Sequence, residues 1–260
     1  MKQALRCGDF FGNPSRSYES GGISLSHRIA TGDVEPHVHD DAHLVWVTGG
    51  HYVSSAAGEA DNTAVLIFNP AGTSHRDRFV DRRGSFFTIS LRKVLLERWR
   101  DLPSTPHHVA DPRARGFVFE LLEEFWEEPD SALLVEALCA ELIDALAGRD
   151  REHKPPQWLV CAREVLHERA TENLSLADAA GELGVHPVHF TRAFRKYFGC
   201  TPGAWLRACR LRRAADLLRG SRLGVSELAL AAGFSDQSHF THRFTRHFGV
   251  APAAYRRLTA

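Results

Sequence analysis

Four histidines in the first third of the chain have the residue type and spacing that suit metal binding. Three of them, His37, His39 and His43, are odd-numbered, so they would share one face of a continuous extended segment. His75 ends the turn sequence PAGTSH and could meet them inside a barrel. Because neutral imidazoles bind zinc, copper, nickel and iron, four convergent rings would form a closed tetrahedral site. The spacing therefore predicts a divalent transition metal, with zinc as the first choice, and the alternative is an organic-effector pocket lined by hydrogen-bonding histidines.

A second set of side chains, of types that could contact DNA, lies on two predicted helices after residue 185. Phenylalanine recurs at every fourth position from Phe190 to Phe198 and again from Phe240 to Phe248, which predicts amphipathic helices with the rings in the core. Most of the outward residues are of the types that contact bases and phosphates. They are Val188, Thr191, Arg192, Arg195, Lys196, Gln237, Ser238, Thr241, His242 and Arg246.

These two helices belong to a repeat. The segment FTRAFRKYFGCTPGAW, Phe190 to Trp205, matches FTHRFTRHFGVAPAAY, Phe240 to Tyr255, at an offset of 50 residues. Each copy is preceded by an alanine-rich stretch and a glycine, which together predict a helix, a turn and a second helix. A single arginine-rich helix would be only a solvated face. Two copies with matching polar faces instead indicate a pair of DNA-binding helix-turn-helix motifs.

The repeat resembles the AraC/XylS family of transcription regulators, over about Trp158 to Leu258. Its most specific part, GFSDQSHFTHRFTRHFGVAPAAYRR from Gly233 to Arg257, is similar to the family signature of the second motif. The resemblance implies base contacts at Val188, Thr191, Arg192, Gln237, Ser238 and His242. Two of these depart from the usual pattern: Val188 is apolar and could touch only a thymine methyl, and His242 stands where arginine is common.

Short strands are predicted to position the histidines. Between residues 9 and 91, apolar runs such as His43 to Val47 and Phe86 to Leu91 alternate with turn residues, which is typical of an all-β unit. The pattern HxH, then a histidine four positions on, then PxG followed by His resembles the cupin motifs. His43 stands where cupin enzymes usually have glutamate. The resemblance implies a cupin-like barrel.

The predicted fold class is α+β, with an N-terminal cupin-like β-barrel and a C-terminal all-α domain that carries two helix-turn-helix motifs. The barrel is assigned to residues 1–112 and the DNA-binding domain to 158–260. Between them, apolar residues at helical spacing predict a helical dimerisation segment at 113–148. The polar sequence GRDREHKPPQ predicts a linker, assigned to 149–157, because two prolines interrupt both helix and strand.

The segment from 113 to 148 is predicted to hold two helices divided at Pro129 and Asp130. Its two apolar stripes are more than one flank of a barrel needs to cover, so they predict a homodimer. Charged substitutions at Leu138 and Leu142 are then expected to yield monomers with a folded barrel.

Charge is divided unevenly along a chain that is neutral overall. Residues 151–260 hold 17 lysines and arginines against 9 acidic residues, whereas residues 1–150 hold 15 against 23. The basic half fits double-stranded DNA as a partner. The five cysteines show no CxxC spacing, and no stretch has the character of a signal peptide or a membrane span. The sequence therefore predicts a cytoplasmic protein.

The function predicted from these features is a sequence-specific transcription regulator and not an enzyme. Its barrel would sense a small molecule or a metal and control DNA binding or activation, with RNA polymerase as a further partner. One alternative is a metal-dependent cupin enzyme fused to a DNA-binding module. Another is an architectural DNA binder that needs no ligand, although such a protein would not need the first half of the chain.

Overall fold

The structure is a computed structural model, and its described residues form a mixed α+β protein. The described ranges are 3–31, 34–59, 65–80, 83–97, 102–127, 132–148, 154–172 and 174–259. Strands dominate up to residue 108 and helices follow. We call the described residues up to 148 the sheet unit and those from 154 onward the helical unit. Within these ranges, no helix combines the length and apolar character needed to cross a bilayer.

The strands of the sheet unit form one large and two small sheets. In chain order they are β1 (Gln3–Leu5), β2 (Asn13–Ser20), β3 (Ile23–Thr31), β4 (His37–His39), β5 (Ala42–Gly49), β6 (Tyr52–Ser54), β7 (Gly58–Glu59), β8 (Leu66–Asn69), β9 (Ser74–His75), β10 (Asp77–Phe79), β11 (Arg83–Leu91) and β12 (His107–His108). The large sheet has the order β12-β8-β5-β11-β3-β2, and the small sheets are β1-β4-β9 and β10-β6-β7. This arrangement is compatible with a barrel, but the described strands do not close one.

Strand β5 lies inside the large sheet and is buried along its whole length. Because successive side chains point to opposite faces of a strand, β5 contributes to two cores. Leu44 and Trp46 belong to the core shared with the helices of the sheet unit, whereas Val45 and Val47 belong to a separate cluster. His43 has the same parity as Val45 and Val47. It therefore lies on the face of β5 away from the helices.

The path of the chain between His39 and His43 differs from the sequence-based expectation. Strands β4 and β5 are separated by a bend at Asp40 and Asp41 and belong to different sheets. The segment is therefore not one continuous strand, and parity along a strand does not by itself orient the three histidines. The orientation comes from strand pairing instead, because β4 runs antiparallel to β9 with His37 directly opposite His75.

The helices cover the large sheet and then build the helical unit. They are α1 (Lys93–Leu96), α2 (Pro112–Glu127), α3 (Ala132–Leu146), α4 (Gln157–Glu168), α5 (Leu176–Glu182), α6 (Pro187–Phe198), α7 (Pro202–Gly220), α8 (Val225–Ala231), α9 (Gln237–Phe248) and α10 (Pro252–Thr259). Pro129 and Asp130, predicted to divide two helices, lie outside the described residues. So do residues 149–153 of the predicted linker.

Helix α3 packs within its own chain, which corrects the expectation that charged substitutions at Leu138 and Leu142 would yield monomers with a folded barrel. Leu138 and Leu142 are 3% and 0% exposed and belong to the same core as Leu44 of β5 and Phe117 of α2. A charge at either leucine would therefore disrupt the sheet unit and would not separate two folded protomers. Of the large apolar residues on α3, Leu133 and Leu134 remain exposed, at 76% and 38%.

The helical unit contains the predicted repeat as two helix pairs, α5 with α6 and α8 with α9. Proline is the first residue of α6, α7 and α10, where its missing N–H costs no hydrogen bond. Ser175 caps α5 by accepting from the backbone N–H of Asp178 at 3.0 Å. Each helix pair has its own core, one around Phe194 and one around Phe244.

Candidate nucleic-acid interface and histidine cluster

Helix α6 has an apolar inner face and a polar outer face. Phe190, Phe194 and Phe198 are at most 1% exposed. The helix ends at Gly199, whose φ of +71° is the left-handed conformation that glycine adopts at little cost. The five residues predicted to contact DNA are all exposed on its other side: Val188, Thr191, Arg192, Arg195 and Lys196. The helix therefore has the amphipathic pattern that a recognition helix requires.

Helix α9 repeats this arrangement. Asp236 caps its first turn by accepting from the backbone N–H of His239 at 2.7 Å. Phe240, Phe244 and Phe248 are buried. Among the residues predicted to contact DNA, three are exposed and two are half-buried: Gln237, Ser238 and His242, then Thr241 and Arg246. The polar face of α9 is thus concentrated in its N-terminal half.

The four histidines predicted as metal ligands lie close together, although they come from three strands. The ring centroids of His37 and His75 are 4.4 Å apart, those of His39 and His43 are 4.2 Å apart, and those of His43 and His75 are 5.4 Å apart. All four side chains are at most 2% exposed. Candidate ligand atoms of His37, His39 and His75 lie within 4.8 Å of one another, as do those of His39, Asp41 and His43.

Three of the four rings have one nitrogen held by a polar neighbour. Nδ1 of His37 donates to the carbonyl oxygen of Glu35 at 2.8 Å, and Nε2 of His75 lies 3.2 Å from a carboxylate oxygen of Asp77. Nε2 of His43 lies 3.2 Å from the side-chain amide of Asn69. Metal-binding histidines commonly use their second nitrogen in this way, because the contact fixes the ring orientation and the tautomer.

Four other nitrogens of the cluster lack hydrogen-bond partners in the part of the chain that the structure describes. Within the described residues, Nδ1 of His43, Nδ1 of His75 and both nitrogens of His39 have no hydrogen-bond partner. Buried polar atoms are rarely left without a partner, because the cost of losing water is about 1–3 kcal/mol for each. These orphaned nitrogens fit the donor set of a divalent transition metal.

Burial favours the neutral form of His37, His39 and His43. Loss of water, followed by repulsion from His37 and His75, lowers the pKa of His39 to about 3. Loss of water lowers the pKa of His43 well below its ordinary value, and it lowers that of His37 as well. Only a neutral imidazole has a lone pair for a metal ion. These three rings are therefore held in the form that can ligate.

Comparison with known proteins bears on the helical unit most directly. Residues 162–258 match a family model described as a helix-turn-helix domain. Over 234 residues the chain is 29% identical to YijO of Escherichia coli, an HTH-type transcriptional regulator, covering 84% of this chain and 82% of that protein. It is 26% identical over 208 residues to the HTH-type transcriptional regulator ExsA of Pseudomonas aeruginosa, covering 75% and 70%. A solved transcriptional regulator with an AraC-type DNA-binding domain, from Chromobacterium violaceum, is 31% identical with a TM-score of 0.38, covering 40% of this chain and 92% of that chain.

The helical unit carries an AraC-type helix-turn-helix domain. With relatives that are named as HTH-type transcriptional regulators, this domain supports a DNA-binding transcription regulator. Double-stranded DNA is the partner that an AraC-type domain fits. The resemblance drawn from the sequence is confirmed for this part of the chain.

The AraC-type domain packs against helix α2 of the sheet unit. Arg195 of α6 pairs with Glu120 of α2 at 3.0 Å, and the other carboxylate oxygen of Glu120 accepts from the backbone N–H of Thr201 at 3.1 Å. The approach is close because α2 has Gly116 at the contact, where a Cβ atom would collide with the backbone carbonyl of Phe198. One side chain predicted to contact DNA is therefore already paired within the chain.

Three polar residues beside the histidines were not predicted from the sequence. Asp77 follows His75 by only two positions, but the two residues belong to strands of different sheets, β9 and β10, so strand periodicity does not relate them. Asp41 lies in the bend and Asn69 pairs with His43 across strands β5 and β8. Neither position could be recognised without the strand pairing.

Proposed function

We propose that the protein is a sequence-specific transcription regulator whose sheet unit binds a divalent transition metal, zinc as the first choice, and thereby controls DNA binding or activation. The observation that supports DNA binding is the duplicated helix with buried phenylalanines and exposed polar residues in an AraC-type domain. The observation that supports metal binding is the cluster of buried imidazoles with orphaned nitrogens.

Arg192 provides the test of sequence readout. Its side chain is exposed on α6 and could donate two parallel hydrogen bonds to a guanine. In a mobility-shift titration of the full chain, Arg192→Ala is expected to weaken specific binding by about 1–3 kcal/mol and to relax the preference at one base pair. Affinity of the unmodified chain should fall steeply as salt rises, because phosphate contacts release counterions.

Arg213 is the matched control for the loss of a positive charge, because it is exposed on α7 and lies outside the two predicted recognition helices. Arg213→Ala is expected to leave the base preference unchanged. If Arg192→Ala weakens binding equally on all sequences, the arginine contacts phosphate. Absence of any salt-dependent DNA binding by the full chain would refute the proposed function.

Zinc content tests the metal site. The full chain, loaded with zinc and dialysed, is expected to retain about one ion per chain, as a closed site of protein ligands would. His39→Ala and His75→Ala should each lower the retained zinc and remove the rise in melting temperature that bound zinc produces. His51→Ala is the control, since His51 is exposed and outside the cluster. Retention of zinc by both cluster variants would exclude this site.

The metal-dependent enzyme remains the second candidate because His37, His39 and His75 form a compact three-residue group. Three protein ligands would leave one coordination position open for a substrate, whereas four would fill a tetrahedral site. His43→Ala separates the two cases. Loss of zinc in this variant supports a closed sensory or structural site, and full retention supports an open one.

A further inference from the structure

A cavity lies between the sheet unit and the AraC-type domain, with a volume of about 280 Å³. Its polar and aromatic walls include Trp46 of β5, Arg115 of α2, Arg163 of α4, Trp205 and Arg212 of α7, and His247 of α9. Trp46 lies on the face of β5 opposite His43, so the cavity is distinct from the histidine cluster. No function described above uses it.

The cavity concentrates positive charge. Three arginines line it, and among the described residues that line it there is no aspartate or glutamate. Burial lowers the pKa of Arg115, and the nearby charge of Arg212 lowers it further, so these two guanidinium groups repel each other. A bound anion would relieve that repulsion. Guanidinium groups are also the side chains best shaped to hold a carboxylate by two parallel hydrogen bonds.

Two buried nitrogen atoms on the cavity wall have no hydrogen-bond partner among the described residues. They are Nε1 of Trp205 and Nδ1 of His247, and the His247 side chain is only 8% exposed. The indole N–H is a donor only, so the group that satisfies it must be an acceptor. An oxygen of a bound anion would meet this requirement, whereas the surrounding guanidinium groups, which only donate, would not.

The rest of the lining is apolar. Phe119 of α2 and Phe248 of α9 line the cavity together with alanines at 208 and 215 of α7. The guanidinium carbon of Arg115 lies 5.6 Å from the centroid of the Trp46 ring, a cation–π contact, and Trp205 adds a second indole to the lining. A ligand that fits must therefore combine an anionic end with a flat apolar body. The volume, near the lower end of the range for small-molecule sites, limits it to a small molecule.

We propose that this cavity binds a small aromatic carboxylate, held by Arg163 and Arg212 and by the N–H of Trp205, with its ring between the aromatic walls. The ligand touches β5 and α2 of the sheet unit and α4, α7 and α9 of the AraC-type domain. It therefore stabilises the docking of the two units on each other, because a ligand that binds only the docked arrangement favours it by mass action.

Calorimetric titration of the full chain with benzoate and 2-naphthoate tests the proposal. At least one of the two acids is expected to bind and to raise the melting temperature. The neutral analogues benzamide and 2-naphthamide should bind at least about tenfold more weakly, since they cannot form charge-assisted hydrogen bonds. Inorganic phosphate should also bind more weakly, because it lacks the apolar body.

Variants locate the site. Arg212→Met is expected to weaken acid binding by about tenfold or more while the variant folds normally, because it removes a like charge beside Arg115. Arg213→Met, at the adjacent exposed position of the same helix, is the matched control and should bind as the unmodified chain does. Trp205→Phe keeps the ring but removes the N–H, so it should weaken binding by several-fold.

Three outcomes would overturn the proposal: no binding of either acid, equal binding of the acids and their amides, or the same loss in Arg213→Met as in Arg212→Met. The titration uses neither DNA nor zinc. A chain that binds DNA but not the acids would therefore refute the cavity ligand alone, and the reverse result would refute only the proposed regulator.

Discussion

Buried imidazoles occur in two separate places, and one of them joins the two units. His27 of β3 and His247 of α9 are 0% and 8% exposed. The His27 ring lies against Gly249, just beyond the end of α9, and would collide with any larger residue there. Burial lowers the pKa of His27 to about 4. The pKa of His247 is lowered to about 3. Burial is the largest cause, and the charges of Arg212 and His27 lower it further.

These values predict a pH dependence of stability for which His247 can be tested. Above pH 6.5 the residue is neutral in both folded and unfolded chains and contributes no pH dependence. Between about pH 6.5 and the folded pKa, only the unfolded chain takes up the proton, so the free energy of unfolding falls as the pH falls. His247→Gln should reduce that fall by about 1.4 kcal/mol per pH unit, measured by denaturant unfolding between pH 6 and pH 4.5.

The groups that face His247 are Arg212 from α7, His27 from β3 and the Phe119 ring from α2. They are the same in the variant, so the difference in slope reports His247. His242→Gln, at an exposed position of the same helix, is the control and should leave the slope unchanged. If the free energy of unfolding of the unmodified chain and of His247→Gln changes equally with pH, His247 takes up its proton as readily in the folded protein as in the unfolded chain, and the prediction is wrong.

At the scale of elements, local signals predicted the helices of the AraC-type domain well. Phenylalanines at every fourth position, prolines at helix starts and glycines at helix ends all act within a few residues, so α6 and α9 could be recognised from the sequence. Strands near the histidines were harder. The bend at Asp40 and Asp41 depends on the pairing of β4 with β1 and β9, which the sequence does not display.

Helix α3 shows the same limit for packing. Its apolar stripe was visible in the sequence, but the stripe alone does not say whether a sheet or a second protomer covers it. The structure places Leu138 and Leu142 in the core of their own chain. The cavity between the units was not predicted at all, because its arginines come from α2, α4 and α7 and share no local pattern.

At the scale of the whole molecule, the acidic and basic halves of the chain face each other. Glu120 and Glu123 of α2 meet three arginines of the AraC-type domain. Glu120 pairs with Arg195 at 3.0 Å, and Glu123 lies 3.4 Å from Arg207 and 3.5 Å from Arg243. Under the proposed function, Glu120 and Glu123 would compete with DNA phosphates for these cations. The docked arrangement would then be the state in which Arg195 is withheld from DNA.

Glu120→Gln is therefore expected to strengthen DNA binding. The amide oxygen can still accept from the N–H of Thr201, so the substitution removes the charge and keeps this hydrogen bond. Arg195 is half exposed, and pairs of this kind are worth about 0.2–1 kcal/mol, which corresponds to a gain of about 1.4- to 5-fold in affinity by fluorescence anisotropy with the full chain. Glu136→Gln, which makes the same charge change at an exposed position of α3, is the control and should produce no gain. If both variants gain equally, the effect comes from net charge, and the Glu120–Arg195 pair does not restrain DNA binding.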